Sequence, residues 1–215
     1  MAVSLPNGVV LALATAYASS QVVSAVSSAS EAIATATGHT LVNGDLVEFT
    51  SGWSKANGRI FRVKGVATNT FTLEGLDTTS ANLFPAGSGA GSVRKITGWT
   101  QISQVLESTS QGGEQQFANY SFLENDFQSQ IPTETSAQSI SISIADDPAL
   151  AGYQALKAAN GTKVAVGLRA TLPSGSLILY NAYVGFDETP SMTKGQVMAC
   201  KASFSLVNRP VRYTA

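Results

Sequence analysis

Few side chains in this sequence could perform acid–base or nucleophilic chemistry. The chain contains one histidine, His39, and one cysteine, Cys200. His39 stands beside a glycine where a run of short strand-like segments begins, so a turn position explains it better than a role as a catalytic base. Cys200 falls inside an alternating apolar and polar run without a neighbouring base, which predicts a small core residue. One residue of each type also excludes the usual zinc sites.

Paired acidic residues are the remaining candidates for acid catalysis or cation binding. They are Asp146 with Asp147, Glu124 with Asp126, and Asp187 with Glu188. The first pair precedes a helical pattern, where the helix dipole favours negative charge, so we expect a structural role. The other pairs fall in predicted loops and could hold a divalent cation, although such spacing is common in proteins. A glycine-rich run at 87–92 lacks the lysine of a phosphate loop and is interpreted as a linker. We therefore predict a protein that is not an enzyme and uses no cofactor or metal ion.

The low charge content narrows the possible function classes further. Charged residues make up 13% of the 215 residues and the net charge is -1. This balance provides no basic surface for tight nucleic-acid binding. So little charge indicates a surface covered by copies of the same chain, although a weakly charged monomer is also consistent with it. The sequence predicts no membrane anchor, and the lack of a basic residue before Lys55 argues against an export signal.

Alternating residues predict a fold dominated by β-strands. A strand is expected around 20–27, following a first stretch of twenty residues that we interpret as an apolar arm. The segment 31–97 has apolar residues at period two and Asn-Gly turns, which predicts a small β-rich domain. A polar stretch with several aromatic residues at 112–137 predicts an extended hairpin or loop that projects from the body.

The last part of the chain combines one helix with antiparallel strands. Asp147 as N-cap, Pro148 in the first turn and Gly161 as the stop predict a helix over 147–160. The strands on either side alternate apolar with polar residues, so each turns one face toward a core and the other toward water. The chain is thus divided into an arm with the first strand (1–30), the small β domain (31–97) and the remaining body (98–215).

This order of elements resembles the tail tube proteins of tailed bacteriophages, the family that includes the major tail proteins of lambdoid phages. The resemblance covers roughly 98–210 and the N-terminal strand, and it rests on the helix ALAGYQALKAANG, the turn VGLRATLPSGS and the last strand ending in SLVNRP. A second stretch resembles a small β-rich module that recurs in phage structural proteins. Its matching positions are Gly44-Asp45, Asn57-Gly58-Arg59, Phe61, Val63, Thr70-Phe71-Thr72-Leu73, Gly75 and Asp77.

The resemblance implies an all-β-dominated (α+β) fold. Two packed antiparallel β-sheets would form a β-sandwich or barrel with one flanking helix, and the small β-barrel-like domain would be inserted on the outside. Six copies would close edge to edge into a ring, with the strands at 138–145 and 196–207 as the edges. Rings would stack into a hollow tube that conducts DNA from the capsid to the host cell, in a tail of the long non-contractile kind.

The resemblance also implies the partners and the location. The chain would bind other copies of itself, tail terminator proteins, and baseplate or tip proteins. The tape-measure protein and genomic DNA would occupy the lumen transiently and without sequence specificity. The protein would be assembled in the host cytoplasm and reside in the tail of the virion.

Two surfaces are assigned from the same resemblance. The projecting stretch would pack on neighbouring subunits or rings, although its aromatic residues could instead form a satellite core within a folded loop. The proposed interface residues are Phe117, Tyr120, Phe122, Phe127 and Ile131. A lumen should be neutral or weakly repulsive to DNA. The candidates to line it are Ser139, Ser141, Ser143, Lys201, Ser203 and Ser205. If Lys201 faces the lumen, we expect Glu107 or another acid beside it.

Two alternative functions stay open from the sequence. A β-sandwich module that binds carbohydrate or a cell surface could stack sugar rings on Trp53, Trp99 and Tyr120. A tail terminator or neck protein of the same fold would form one ring and stop.

Overall fold

The fold is dominated by β-strands, as predicted. The structure, a computed structural model, describes residues 7–215, with about 50% of the chain in strands and 6% in helix. Residues 1–6 of the predicted arm lie outside the described residues. The strands are β1 Val10–Tyr17, β2 Gln21–Val23, β3 Ala25–Val26, β4 Ala32–Thr35, β5 Leu46–Ser51, β6 Arg59–Lys64, β7 Thr70–Leu73, β8 Gly91–Ile102, β9 Val105–Gln111, β10 Gln115–Tyr120, β11 Ser129–Thr135, β12 Ser139–Ala145, β13 Val166–Thr171, β14 Leu177–Ser191, β15 Ala199–Leu206 and β16 Val211–Tyr213. The helix α1 is Ala151–Thr162.

Fourteen of the strands form one curled antiparallel sheet, while β10 and β11 form a small sheet of their own. The order across the large sheet is β3-β4-β7-β6-β5-β8-β1-β13-β14-β15-β12-β9, with β2 paired to β8 and β16 paired to β14. The resemblance implies two packed sheets, but the hydrogen-bonded ladder is continuous. The reason is the long strand β8, which pairs with β5 through its first half and with β1 through its second half. β8 also runs across the predicted domain boundary at residue 97.

The first strand of the body lies earlier than the sequence predicts. β1 runs between β8 and β13, and its residues Ala12, Leu13 and Ala14 are buried. The strand predicted at 20–27 is instead the pair of short strands β2 and β3. The prediction of an apolar arm is therefore wrong for residues 10–17, because the apolar surface of β1 finds its partners in strands that are distant in the same chain.

The helix packs its apolar side on one face of the sheet. Tyr153 and Leu156 are buried there together with Phe186 and Phe204 of the sheet. The rings of Tyr153 and Phe186 meet edge to face with centroids 4.8 Å apart, a favourable aromatic geometry. Among the described residues, no helix is long and apolar enough to cross a membrane.

The bounds of the helix differ from the predicted 147–160. The N-cap is Leu150, which has no side-chain capping hydrogen bond, and Gly161 lies inside the helix. The helix ends before Lys163, which takes the left-handed conformation with φ 53°. The predicted stop is wrong because the left-handed position that ends the helix falls two residues after the glycine.

The curl of the sheet brings β14 and β16 against β5 and β6. The Tyr213 hydroxyl accepts a hydrogen bond from the Arg62 backbone N–H (2.8 Å) and donates one to the Glu74 carbonyl (3.0 Å). The Asn181 side chain donates a hydrogen bond to the buried Glu48 carboxylate (3.1 Å). These contacts tie the predicted small domain to the last strands of the chain.

The strands expected to supply free edges are interior strands. β12 pairs with both β15 and β9, and β15 pairs with both β12 and β14. On this side of the sheet the free edge belongs to β9, whose side chains are mostly exposed. The local alternation of β12 and β15 does not show which strands flank them, so the edge could not be assigned from sequence.

Candidate functional site

The two candidate nucleophile or base residues are held in structural contacts. His39 accepts a hydrogen bond at Nδ1 from the Leu41 N–H (3.3 Å) and packs edge-on against Phe71. Cys200 is fully buried, as predicted, and its thiol lies 3.5 Å from the Asp146 carboxylate, to which it donates. Burial raises the pKa of the Cys200 thiol, which disfavours the nucleophilic thiolate.

The acidic pairs are separated and do not converge on a cation-binding site. Asp147 accepts a hydrogen bond from a backbone N–H two residues further on (3.1 Å), so it closes a turn ahead of α1 and is not the N-cap. Glu188 forms an ion pair with Lys157 of α1 at 2.6 Å. Glu124 and Asp126 are exposed. Within residues 7–215, no three His, Cys, Asp or Glu side chains group closely enough to hold a metal ion.

The six proposed lumen residues lie together on one surface. Across the β12–β15 ladder, Ser139 is paired with Ser205, Ser141 with Ser203, and Ser143 with Lys201. Directly opposed residues of an antiparallel pair project to the same side of the sheet, so the six side chains share one face. This face continues onto the flanking strands, with Glu107, Thr109 and Gln111 on β9 and Tyr183, Gly185 and Asp187 on β14. We call this four-stranded surface the serine face.

The other side of the same strands is apolar and covered. Ile142, Cys200 and Phe204 alternate with the serine-face residues and belong to the core beneath α1. The four-stranded region is therefore polar and open on one side and sealed by the helix on the other, because alternate residues of a strand point to opposite faces.

Lys201 stands between two acids on the serine face. Asp187 lies directly opposite it on β14. On the other side Ser143 separates it from Glu107 of β9. The sequence predicts Glu107 or another acid beside Lys201 if this lysine faces the lumen, and its facing the lumen stays a prediction. The one lysine and two acids together leave this part of the face weakly negative.

Residues 112–137 form a two-stranded ribbon outside the large sheet, and we call this segment the ribbon. Its strands β10 and β11 pair with each other. The five proposed interface side chains are 41% to 74% exposed, Tyr120 and Phe127 being the extremes, and Leu123 near the tip is fully exposed. This exposure excludes a satellite core within a single chain. The register puts Phe117 on one face of the ribbon and Ile131 on the other, so apolar side chains are uncovered on both faces.

Two glycines and one side-chain hydrogen bond fix the backbone at the base of the ribbon. Gly112 and Gly113 have φ 78° and 84°, and a Cβ on Gly112 would lie 1.9 Å from the Ala137 carbonyl oxygen. The Arg209 guanidinium donates a hydrogen bond to the Thr135 hydroxyl on the returning strand (3.0 Å). A glycine pair is therefore required where the chain leaves the sheet.

The aromatic residues considered for sugar binding do not form a platform. Trp53 is 3% exposed, and its indole N–H donates to the Pro85 carbonyl (2.8 Å). The Arg169 guanidinium lies 4.7 Å from the centre of the Trp99 ring. Tyr120 is the one exposed ring of the three, and it belongs to the ribbon. The three rings that suggested carbohydrate binding therefore do not support that alternative.

Sequence reasoning missed a second exposed apolar surface. The loop 192–198 joins β14 to β15 and exposes Met192, Val197 and Met198 around Lys194. Its signal in the sequence is a set of apolar residues within a turn, which by itself does not distinguish a surface from an ordinary connection.

The chain matches the model of a known protein family. Residues 51–215, about three quarters of the chain, match the model of a family described as phage tail tube protein, TTP. The match begins inside the segment predicted to be an inserted module, so it does not separate that module from the body. No curated protein matches the chain.

Proposed function

Since the chain belongs to the phage tail tube protein family, we propose that it is the repeating subunit of a tail tube, in which six copies close into a ring and rings stack into a conduit for DNA. The family is structural, which makes this protein a component of the phage tail that self-assembles into a tube. We further propose assembly in the host cytoplasm around the tape-measure protein, and contacts with terminator and tip proteins at the two ends of a non-contractile tail.

The observation that carries the proposal is the serine face. Its strands are apolar and covered by α1 on one side and polar and uncovered on the other. A lumen wall needs this asymmetry, because one side must hold the subunit together while the other must stay wet. In the assembled tube, Ser139, Ser141, Ser143, Lys201, Ser203 and Ser205 would line the channel.

The charge pattern of the serine face supports transport without sticking. A DNA duplex binds tightly where several Lys or Arg side chains neutralise its phosphates. Here Lys201 is flanked by Asp187 and Glu107, and hydroxyl groups occupy most of the remaining positions. Such a wall would be weakly negative and therefore weakly repulsive toward a passing duplex.

Ring closure is assigned to the free edge of β9. An edge strand exposes unpaired N–H and C=O groups that can pair with a neighbouring chain. β9 contributes Glu107, Thr109 and Gln111 to the serine face, so pairing through its other edge would extend the lumen wall from one subunit to the next.

The ribbon and the segment 31–97 do not belong to the serine face, and we assign them to the outside of the subunit. The ribbon would contact neighbouring subunits or rings through Phe117, Tyr120, Phe122, Phe127 and Ile131, all exposed in the single chain. The segment 31–97 contributes no strand to the serine face, which supports a place on the outside of the tube.

Negative-stain electron microscopy of the purified protein over a concentration series tests the proposal. Long hollow tubes with regularly spaced rings are the expected result. Single rings that do not stack would identify a terminator or neck protein instead. A protein that stays monomeric at every concentration would contradict the tube function.

A further inference from the structure

The ribbon and the loop 192–198 lie at opposite ends of the serine face. The ribbon leaves β9 after Gln111 and re-enters the sheet at Ser139 of β12. The loop joins the last residue of β14 to the first of β15, beside Ala145 at the far end of β12. With a rise of about 3.3 Å per residue, the two ends are about 20 Å apart. The bases of two exposed apolar segments therefore lie at opposite ends of the serine face.

The two surfaces also carry opposite charge. The ribbon contains four acidic residues and no basic one, and two of these acids, Glu124 and Asp126, lie between Phe122 and Phe127 at its tip. The loop 192–198 contains Lys194 as its only charged residue. Its methionines are unbranched and polarizable, a property of adaptable binding surfaces.

Two acids near the loop are already engaged within the chain. The Asp146 carboxylate accepts a hydrogen bond from the Cys200 thiol, and the Asp147 carboxylate accepts one from the Ala149 N–H. Lys194 stays exposed beside Met192. It is thus available to a carboxylate of another copy.

We propose that the ribbon tip of one copy docks on the loop 192–198 of a copy in the next ring, with Phe122, Leu123 and Phe127 against Met192, Val197 and Met198, and with Glu124 and Asp126 beside Lys194. This inference rests on the proposed tube function and names the contact that stacks the rings. A contact between two ribbons would bring their acidic residues together, and a contact between two loops would bring two copies of Lys194 together. Both contacts are disfavoured by like charge. The contact is therefore heterologous, and a heterologous contact that does not close on itself generates an open, polar stack.

Disulfide cross-linking between copies tests the contact. Phe127→Cys in the ribbon and Met192→Cys in the loop are made as separate variants, since both side chains are exposed. The native Cys200 is fully buried, so the unmodified protein is the background control. We expect a mixture of the two variants, assembled and then oxidised, to give a cross-linked dimer that neither variant gives alone. Val22→Cys, which is 75% exposed outside both surfaces, is the matched control and should not link to Phe127→Cys.

Charge exchange provides a second, independent readout. Lys194→Glu should raise the protein concentration needed for tube formation about tenfold or more, since it places an acid against two acids. Adding Glu124→Lys and Asp126→Lys to the same chain should restore most of the loss.

The outcomes distinguish this contact from the tube function itself. Tubes that form normally while Phe127→Cys links to itself or to Val22→Cys would overturn the contact and leave the tube function standing. Tubes that are indifferent to Lys194→Glu would also overturn it. If the unmodified protein forms no tubes, the tube function fails and the contact fails with it.

Discussion

At the scale of single residues, buried polar side chains hold the curl of the sheet. Tyr213 bridges the backbone of β6 and the residue after β7, and Asn181 reaches the buried Glu48 on β5. Glu48 also pairs with Arg94, whose guanidinium lies 4.6 Å from the centre of the Tyr17 ring. Each of these groups would be costly to leave unpaired in the core, so we expect removal of one partner to destabilise the fold.

Tyr213→Phe tests the contacts that the Tyr213 hydroxyl makes. Loss of the hydroxyl leaves the Arg62 N–H and the Glu74 carbonyl without this partner, and we expect the free energy of unfolding to fall by about 1–3 kcal/mol. Chemical denaturation measures the change. Tyr183→Phe is the matched control, because Tyr183 is 52% exposed and its substitution should change stability by less than about 0.5 kcal/mol. Equal effects of both substitutions would contradict the assigned role.

The same residue predicts an alkaline limit of stability. Burial raises the pKa of Tyr213 from 10.0 to about 12. The folded protein therefore binds this proton more tightly than the unfolded chain does. The resulting stabilisation is complete below pH 10 and is lost as the pH rises toward 12, by about 2 kcal/mol in all. Unfolding measured between pH 9 and 12 should show a smaller loss for Tyr213→Phe than for the unmodified protein, and parallel curves would refute this assignment.

At the scale of elements, the ribbon differs from every strand of the large sheet. Its strands pair only with each other, its side chains are exposed, and its base is anchored by the Gly112-Gly113 turn and by Arg209. An element with so little buried surface contributes little to the stability of the single chain. Its exposed apolar residues therefore contribute little to folding, which supports the interface that we propose for them.

Substitution of the ribbon aromatics separates folding from assembly. Phe122→Ser combined with Phe127→Ser should change the free energy of unfolding by less than about 0.5 kcal/mol, since both rings are exposed. The same protein should form no tubes at concentrations where the unmodified chain does. Val22→Ser with Val42→Ser removes two exposed apolar residues elsewhere and should leave assembly intact. Electron microscopy measures assembly, and normal tubes from the ribbon variant would contradict the interface assignment.

At the scale of the whole molecule, polar and apolar surfaces lie on different sides of the subunit. The serine face opens on one side of the sheet, α1 covers the other, and the ribbon and the loop 192–198 mark the two ends. We propose that the subunit closes into a ring and stacks on the next ring through different surfaces among these. This is the arrangement that a tube requires.

Basic residues placed on the serine face should convert a passive wall into a DNA-binding one. Ser141→Lys with Ser203→Lys adds two cations per copy on paired positions. We expect variant tubes to retain double-stranded DNA at low salt and release it as salt rises, since phosphate contacts depend strongly on ionic strength. Ser80→Lys with Asn82→Lys, both exposed in the segment 31–97, is the control of equal charge. Co-sedimentation measures retention. Equal retention by both variants would show that the serine face does not line the lumen.

The sequence by itself determined the features that depend on local periodicity. Alternation of Ile and Ser in β12, and of apolar and polar residues in β15, is enough to predict two strands with one polar face each. The presence of one His and one Cys is enough to exclude zinc sites of the usual composition. The projecting character of 112–137 follows in the same way from its polar composition and length.

Only the tertiary structure decided which elements meet. The central place of β1, the continuity of β8 across the predicted boundary and the free edge of β9 depend on pairing between segments far apart in the chain. The end of α1 depended on the backbone conformation of Lys163. The position of the loop 192–198 opposite the ribbon arose from the strand registers. The physical reason is common to these cases: periodicity specifies which face of an element is apolar, whereas the partner that covers the face is chosen by packing across the whole molecule.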